Sequence, residues 1–580
     1  MLKPLLSLSC GLALLFAMSC AGNRSGKQIP SSTLAPSVST TAGKEIYTTH
    51  CVSCHAIERE EIGPRLGGIT SLLSTTELID FIKNPGKAIE SGNKRAVGLA
   101  KRYKMVMPPF DFLKDEDIKA VLAYIADETK AHNIQPLEVA TADSTGSKAP
   151  ERLAKPVVKS GLMIETEDYA TIPPSSDKMP KTRIATMRPH PSNDGSLMVS
   201  DQRGLIYRLR NGNPSLFLDI RPLVEDYINE PGLGTGLGSF AFHPDFLQNG
   251  LIYITHTEAF KTKKADYAYA DSIEVFLQWV VSEWKTDDVN SEVFHGKRRE
   301  LLRINVPGNV HGTQDIGFAP VDKNDEDYGL LYIGTGDGGS TIWGHPELCH
   351  NLNSLLGTII RIDPLGRNSP NGAYGIPASN PFAGSKDAQV CKEIYAYGFR
   401  NPHRLFWNMT YGKRLFSTEV GEANFEEVNV IQKGGDYGWN VQEGNYGISP
   451  KDLKNVYLPE KPSATFVKPY ALYDHVDGNA IGGGAVYEGE IAALKDKYIF
   501  GDIVNGRIFY TNVDKPLSDS TVYELGIMQA GEETTLREMS GSKRVDLRVE
   551  YDAFTKNLYI MTKSDGKIRK VTSAYMSKTP

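Results

Sequence analysis

The chain has 580 residues and a formal net charge of −6, so it is too long for one ordinary domain and divides into units that each bury a core. So slight a charge offers no basic field for nucleic acid and no acidic tail for disorder. Six cysteines are the residues whose places must be explained first.

The N-terminus carries Lys3, an apolar run from Leu5 to Met18 and then Ser19-Cys20. That run is shorter than the roughly 20 residues a spanning helix needs, so residues 1–19 read as a signal segment. Small residues around a cysteine at this place resemble a bacterial lipoprotein cleavage site. The resemblance implies an exported protein, in the periplasm or at the outer membrane, with Cys20 as its lipidated first residue. An ordinary signal peptide with an incidental cysteine is the alternative. No other segment is apolar enough to span, so membrane attachment is expected only through Cys20.

Residues 20–40 are rich in Ser, Thr, Gly and Pro and read as a linker. Residues 41–132 follow as a small all-α domain with three helical stretches, GKEIYTTHCVSCHAIE, TTELIDFIKNP and DEDIKAVLAYIADET. In the last, Ile118, Val121, Leu122 and Ile125 recur at helical spacing behind the acidic first turn of Asp115 to Asp117. Three short helices make a marginal core unless they surround something. Cys51-Val-Ser-Cys54-His55 names it as haem c: two thiols add to the haem vinyl groups and His55 supplies an axial nitrogen. A zinc half-site is the competing reading, but no second ligand pair follows at zinc spacing. For the sixth ligand KRYKMVMPPF offers Met105 and Met107. Met107 is preferred, because Pro108 and Pro109 keep the following backbone extended. Here the sequence resembles class I cytochromes c, and His/Met ligation suits an electron acceptor.

Residues 133–158 form a second polar, Pro-containing linker. From 159 to 580 the rhythm changes to short strands rich in Tyr, Ile and Val after Gly or Asn turns, at Leu197, Leu251, Leu330, Leu415, Tyr498 and Leu558. Six such units at intervals of roughly 55 to 85 residues imply a repeated antiparallel sheet, and a six-bladed β-propeller accounts for the count. A pair of β-sandwiches is the competitor. Cys349 and Cys391 remain as a pair that an oxidising compartment permits to bond.

Five loops of this region carry unusual chemistry: GLGSFAFHPDF, NVHGTQDIGFAP, GTGDGG, YGFRNPHRLFW and STEVGEANFEEVN. Together with KGGDYGW they resemble the soluble glucose/sorbosone dehydrogenase family, from about Thr182 to Val571. The resemblance implies a six-bladed quinoprotein that oxidises aldoses with pyrroloquinoline quinone (PQQ) and Ca²⁺. It puts the general base on His311 and its orienting carboxylate on Asp337. It assigns the quinone contacts to Arg400 and Asn401, with Arg507 as a further basic contact. It gives one calcium to the carbonyls of Gly421 and Glu422, and a second, structural one to Glu427 and the Tyr437 carbonyl. The family lysine falls on Glu488, its next basic residue near Asn505, and a sugar-pocket glutamine on Gly234. With the haem domain attached, the expected function is sugar oxidation with electrons relayed through haem c to a cytochrome or another respiratory acceptor. The alternative is a carbohydrate- or protein-binding propeller without PQQ, which the acidic Glu488 favours.

Overall fold

In a computed structural model the described residues run from 40 to 580, without 53, 59, 61–62, 104–106, 138–151, 178, 231–232, 262, 452, 460–462, 464, 515–520 and 578–580. They fall in one continuous unit, Val38–Pro580. The signal segment, Cys20, Met105 and most of both linkers lie outside the described residues. No helix among the described residues is long and apolar enough to cross a membrane.

The three expected helices form as Thr40–His50, Thr75–Lys83 and Asp115–Ala131, and three further ones, Ile69–Leu72, Pro85–Glu90 and Lys94–Tyr103, join them. Ser74 caps the second, accepting from the Glu77 N–H while the Glu77 carboxylate accepts from the Ser74 N–H at 2.9 Å. Asp115, Glu116 and Asp117 complement the N-terminal end of the last helix. Its buried face of Ile118, Val121, Leu122 and Ile125 packs on Tyr47, Leu78 and Ile79. The first and last helices touch at Gly43, where a β-carbon would lie 2.0 Å from the Ala120 carbonyl oxygen, so that crossing requires glycine.

The rest is mostly β. Four-stranded antiparallel sheets follow one another along the chain. The first runs from Ile184–Pro189 to Asn213–Asp219, the second from Leu237–Phe242 to Gly296–Val306, and the third from Asp315–Phe318 to Ile394–Tyr397. The fourth joins Pro402–Asn408, Arg414–Val420 and Phe425–Ile431 to Ala471–Asp474, after an excursion through a small three-stranded sheet. The last sheet has nine strands. Within it Val158–Thr171 pairs in parallel with Tyr523–Gln529 and antiparallel with Lys567–Met576, so the two ends of the β-domain are held in one sheet.

Face-to-face packing runs from each sheet to the next. Met198 and Phe217 of the first meet Phe240 and Trp284 of the second. Trp279 and Leu302 of the second meet Ile333 and Ile360 of the third, and Tyr332 and Ile359 of the third meet Leu405 and Leu415 of the fourth. Phe416 of the fourth stacks on Tyr498 of the nine-stranded sheet at 5.0 Å, and Tyr559 and Met561 of that sheet return to Met187 and Val199 of the first. The circle closes, which a pair of sandwiches would not do, and this is a propeller-type arrangement. Cys349 and Cys391, permitted to bond in an oxidising compartment, are both buried free thiols; Cys349 lies 3.7 Å from the Ser340 hydroxyl.

Two carboxylates fix the loops at the end of the fourth sheet. Glu419 accepts from the backbone N–H groups of Arg400 and Asn401 at 2.5 and 2.9 Å. Glu443 accepts with one oxygen from the N–H groups of Glu422, Ala423, Asn424 and Phe425 at 2.9 to 3.2 Å, and with the other from the Asn424 amide at 2.8 Å. At the other approach to this end, Asp474 accepts from the N–H groups of Leu153 and Ala154 at 2.8 and 3.0 Å, while Arg152 donates to Asp477 at 2.5 Å.

Glu443→Ala leaves those four loop N–H groups without their acceptor. With each unmet buried donor costing about 1–3 kcal/mol, the loss of stability should be roughly 3 kcal/mol or more, read as a lower urea midpoint at constant m. Glu443→Gln, which keeps an acceptor without its charge, should fall between the two. Equal midpoints for all three proteins would refute this account of the loop.

Candidate active site

His311 lies in the loop that leads into the strand Asp315–Phe318, at a left-handed φ of 51°, a conformation costly for a residue with a β-carbon. Close backbone contacts impose it: a β-carbon on Gly234 would lie 2.6 Å from the Val310 carbonyl carbon, and one on Gly336 would lie 2.2 Å from the His311 carbonyl oxygen. A glutamine side chain at Gly234 is therefore excluded by the loop that carries His311. The strained turn aims the imidazole so that Nδ1 meets Asp337 Oδ1 at 2.7 Å. Asp337 is fully buried. Burial alone would raise its pKa, but the charge and hydrogen bond of His311 and the charge of Arg400 outweigh that and hold it well below the usual carboxylate range. An ionised Asp337 fixes the Nδ1–H tautomer and leaves Nε2 of His311 as the free base.

His311, Arg400, Asn401, Gly421 and Glu422 line one cavity of about 760 Å³, within the range of small-ligand sites. Arg400 is 2% exposed. Its Nη1 donates to the Gly421 carbonyl at 2.6 Å, and its Nε lies 2.5 Å from Glu422 Oε2, an ion pair at an angle that makes no hydrogen bond. The guanidinium thus holds the Gly421 carbonyl that the family resemblance gives to calcium. Asn401 Oδ1 is buried with no hydrogen-bond partner.

The remaining expected residues divide. Glu427 and Tyr437 line a separate cavity of about 10 Å³ beside Glu419 and Glu443, room for a single ion or water. Burial raises the Glu427 pKa to about 7 against the hydrogen bonds of Asn429 and the Gly444 N–H, and raises Glu419 well above its ordinary value. Glu419 Oε2 and Asn429 Oδ1 have no partner. Hard oxygen atoms short of positive charge fit a hard cation. Among the described residues no three His, Cys, Asp or Glu side chains form a metal cluster, so carbonyl oxygens must complete any such site.

Arg507 is not at the cavity. It is spent on Glu524, with both contacts at 2.7 Å, and on the Asp477 carbonyl, which corrects its expected place against the quinone. Glu488 is also away from it, beside Asn408 at 3.1 Å, Thr410 and Lys556. Asn505 bonds to Asp502 and Asn479 at 2.9 and 3.1 Å.

Besides Arg400, the cavity's positive charge comes from Lys44, Arg183, Arg203, Arg544, Arg548 and Lys563. Arg548 is buried with an unpartnered Nε. Burial and then Arg404 pull its pKa down to about 9, and burial and then Arg548 pull Lys563 well below its ordinary value. Crowded, desolvated cations of this kind fit a planar polyanion such as PQQ. The alternation Arg544, Asp546, Arg548, Glu550 in KRVDLRVE was the available signal, since period two puts these charges on one side of a strand.

In the helical domain His55 is 9% exposed, with Nδ1 2.7 Å from the Pro64 carbonyl. That bond sets the Nδ1–H tautomer and frees Nε2 for iron. Gly63 makes room, since a β-carbon there would lie 2.4 Å from the His55 ring. Cys51 and Met107 pack partly buried on the same core. Haem c therefore fits this donor set. Cys54 and Pro108, the residue after Met107, line the same cavity as His311 and Arg400.

The glucose/sorbosone dehydrogenase family matches residues 186–570 and the cytochrome c family matches residues 40–128. The HIPL2 protein of Arabidopsis thaliana is 30% identical over 335 residues, covering 51% of this chain and 46% of its own length, so the chain spans about half of that relative. The aldose sugar dehydrogenase YliI of Escherichia coli is 26% identical over 325 residues, covering 53% of this chain and 76% of that protein. The solved apo-form of the soluble aldose sugar dehydrogenase from Escherichia coli superposes with a TM-score of 0.50 at 19% identity, over 71% of this chain and 99% of that one, a likeness of fold. The chain belongs to the glucose/sorbosone dehydrogenase family and carries a cytochrome c domain ahead of the family's β-domain.

Proposed function

We propose that the protein is an exported quinohaemoprotein that oxidises an aldose and passes the electrons through its own cytochrome c domain to a respiratory acceptor. The observation that carries this reading is the shared cavity. The base His311, the cationic wall, the haem-attachment residue Cys54 and Pro108, next to the haem ligand Met107, open on one space. Bound there, PQQ supplies a hydride acceptor and haem c a one-electron outlet.

This chain's residues have distinct tasks. His311 Nε2 takes the proton of the anomeric hydroxyl, and Asp337 holds the ring and stabilises its positive charge. Arg400, Arg548 and Lys563 line the cavity where they would hold the anionic cofactor and favour negative charge there, and the Asn401 amide would add a neutral contact. Glu427 and the Tyr437 carbonyl hold a structural calcium. The carbonyls of Gly421 and Glu422 would hold a second one. Cys51 and Cys54 carry haem, ligated by His55 and Met107. The nine-stranded sheet counts as two blades joined by the parallel pairing of Val158–Thr171, which gives six. Export and a lipid anchor at Cys20 rest on the leader sequence. Glu488 no longer favours the binding-module alternative, since it does not line the cavity.

The test is direct. Haem-loaded protein supplied with PQQ and Ca²⁺ should show reduction of its haem absorption band on addition of at least one aldose from a panel. Neither haem nor dye reduction by any of them would sink the proposal. Asp337→Asn should lower kcat by about 10²–10⁴-fold with KM little changed, because the amide no longer enforces the tautomer; a kcat within threefold of wild type would remove Asp337 from the mechanism. The depressed Asp337 pKa also has a sign. Its stabilising interaction is complete above an ordinary carboxylate pKa of about 4 and is lost as pH falls through the lower folded value. The acid limb of an unfolding curve should therefore be shallower in Asp337→Asn.

A further inference from the structure

The cytochrome c domain contributes more than a haem to the shared cavity. Its first helix ends at His50, and the segment after Met107 turns back through Phe110 and Phe112. His50 stands edge-on to both rings, at 6.1 Å from Phe110 and 5.4 Å from Phe112, which are 5.9 Å from each other. Phe110 is buried in the domain, whereas His50 and Phe112 line the cavity opposite the β-domain's loops.

The two sides differ in chemistry. The β-domain side is crowded with Arg544, Arg548 and Lys563 and suits an anion. The cytochrome side offers an aromatic face and an imidazole that burial, then the nearby Arg544, keeps neutral by lowering its pKa to about 4. No hydrogen bond occupies the His50 ring nitrogens among the described residues. A neutral donor-acceptor beside an apolar ring matches a sugar, whose hydroxyls need directed hydrogen bonds and whose C–H face needs an apolar platform. Among the described residues, the domain meets the β-domain where Lys543 lies 3.8 Å from Asp111 and Lys454 lies 5.1 Å above the Tyr103 ring.

We infer that His50 and Phe112 form the roof of the sugar subsite, so that the docked cytochrome c domain completes the substrate site and selects sugars of mono- or disaccharide size. This rests on the proposed aldose oxidation, which supplies the sugar. A cavity of about 760 Å³ must hold cofactor and sugar together, which leaves room for a sugar of mono- or disaccharide size.

The probe is 1,5-anhydroglucitol, a sugar without an anomeric hydroxyl, titrated calorimetrically into full-length, haem-loaded, PQQ- and Ca²⁺-supplied protein. His50→Ala and Phe112→Ala should each weaken its binding about 10-fold or more and raise the aldose KM similarly with a dye as acceptor, with kcat within twofold and the haem spectrum unchanged. His50→Gln, which keeps a hydrogen-bonding group, should recover part of the loss and guards against a folding defect. Unchanged analogue affinity and KM in both alanine variants overturn the roof while leaving the aldose reading intact, as does slower haem reduction alone. A wild-type protein that binds the analogue through these residues yet oxidises no aldose upholds the roof and defeats the reading. A wild-type protein that does not bind the analogue overturns the roof.

Discussion

Two buried carboxylates, Glu419 and Glu443, hold the site in shape. Each spends its charge on backbone N–H groups of a different loop, Glu419 on Arg400 and Asn401 and Glu443 on residues 422–425. Burying a carboxylate costs several kcal/mol, and only excellent hydrogen bonding offsets it. Backbone donors do so without long side chains that would have to be ordered. The loops then carry Arg400, Asn401, Gly421 and Glu422 to one rim, with Arg400 bridging the two loops through the Gly421 carbonyl.

The carboxylates also divide the charge of the cavity. The fourth sheet brings Glu419 and Glu427, raised in pKa by burial, to the smaller cavity, and Glu422, likewise raised, to the larger one, where Arg400 pairs with it at 2.5 Å. The C-terminal strands bring Arg548 and Lys563, which burial lowers in pKa in spite of the nearby Asp546. Neither cluster neutralises the other, because each is held by its own sheet. An assembly of a cation on one side and an anion between them relaxes both, and the same field in a low-dielectric cleft draws an anionic ligand in.

Much of this was legible in the sequence. Cys51-Val-Ser-Cys54-His55 marks a local covalent motif, and helical and strand periods located the three expected helices and the six strand units. His311 and Asp337 come together across 26 positions because they lie in the loops just before and just after the paired strands Asp315–Phe318 and Leu331–Thr335. What failed were assignments that depend on which way a residue faces after a turn. Arg507 and Glu488 sit at plausible positions along their blades, yet one turns to Glu524 and the other to Thr410. Glu443 was invisible for another reason: its partners are main-chain N–H groups, which every residue but proline has, so no side-chain pattern announces them.

The clamp of Arg152, Leu153 and Ala154 on Asp474 and Asp477 sets the radius within which the cytochrome c domain can act. It roots the chain beside Asn479 and Ala480, which line the cavity. About 15 residues separate Leu137 from that root, a reach of roughly 50 Å at full extension. A domain on so short a leash meets its own cavity at a local concentration in the millimolar range. That local concentration is the same however dilute the protein is.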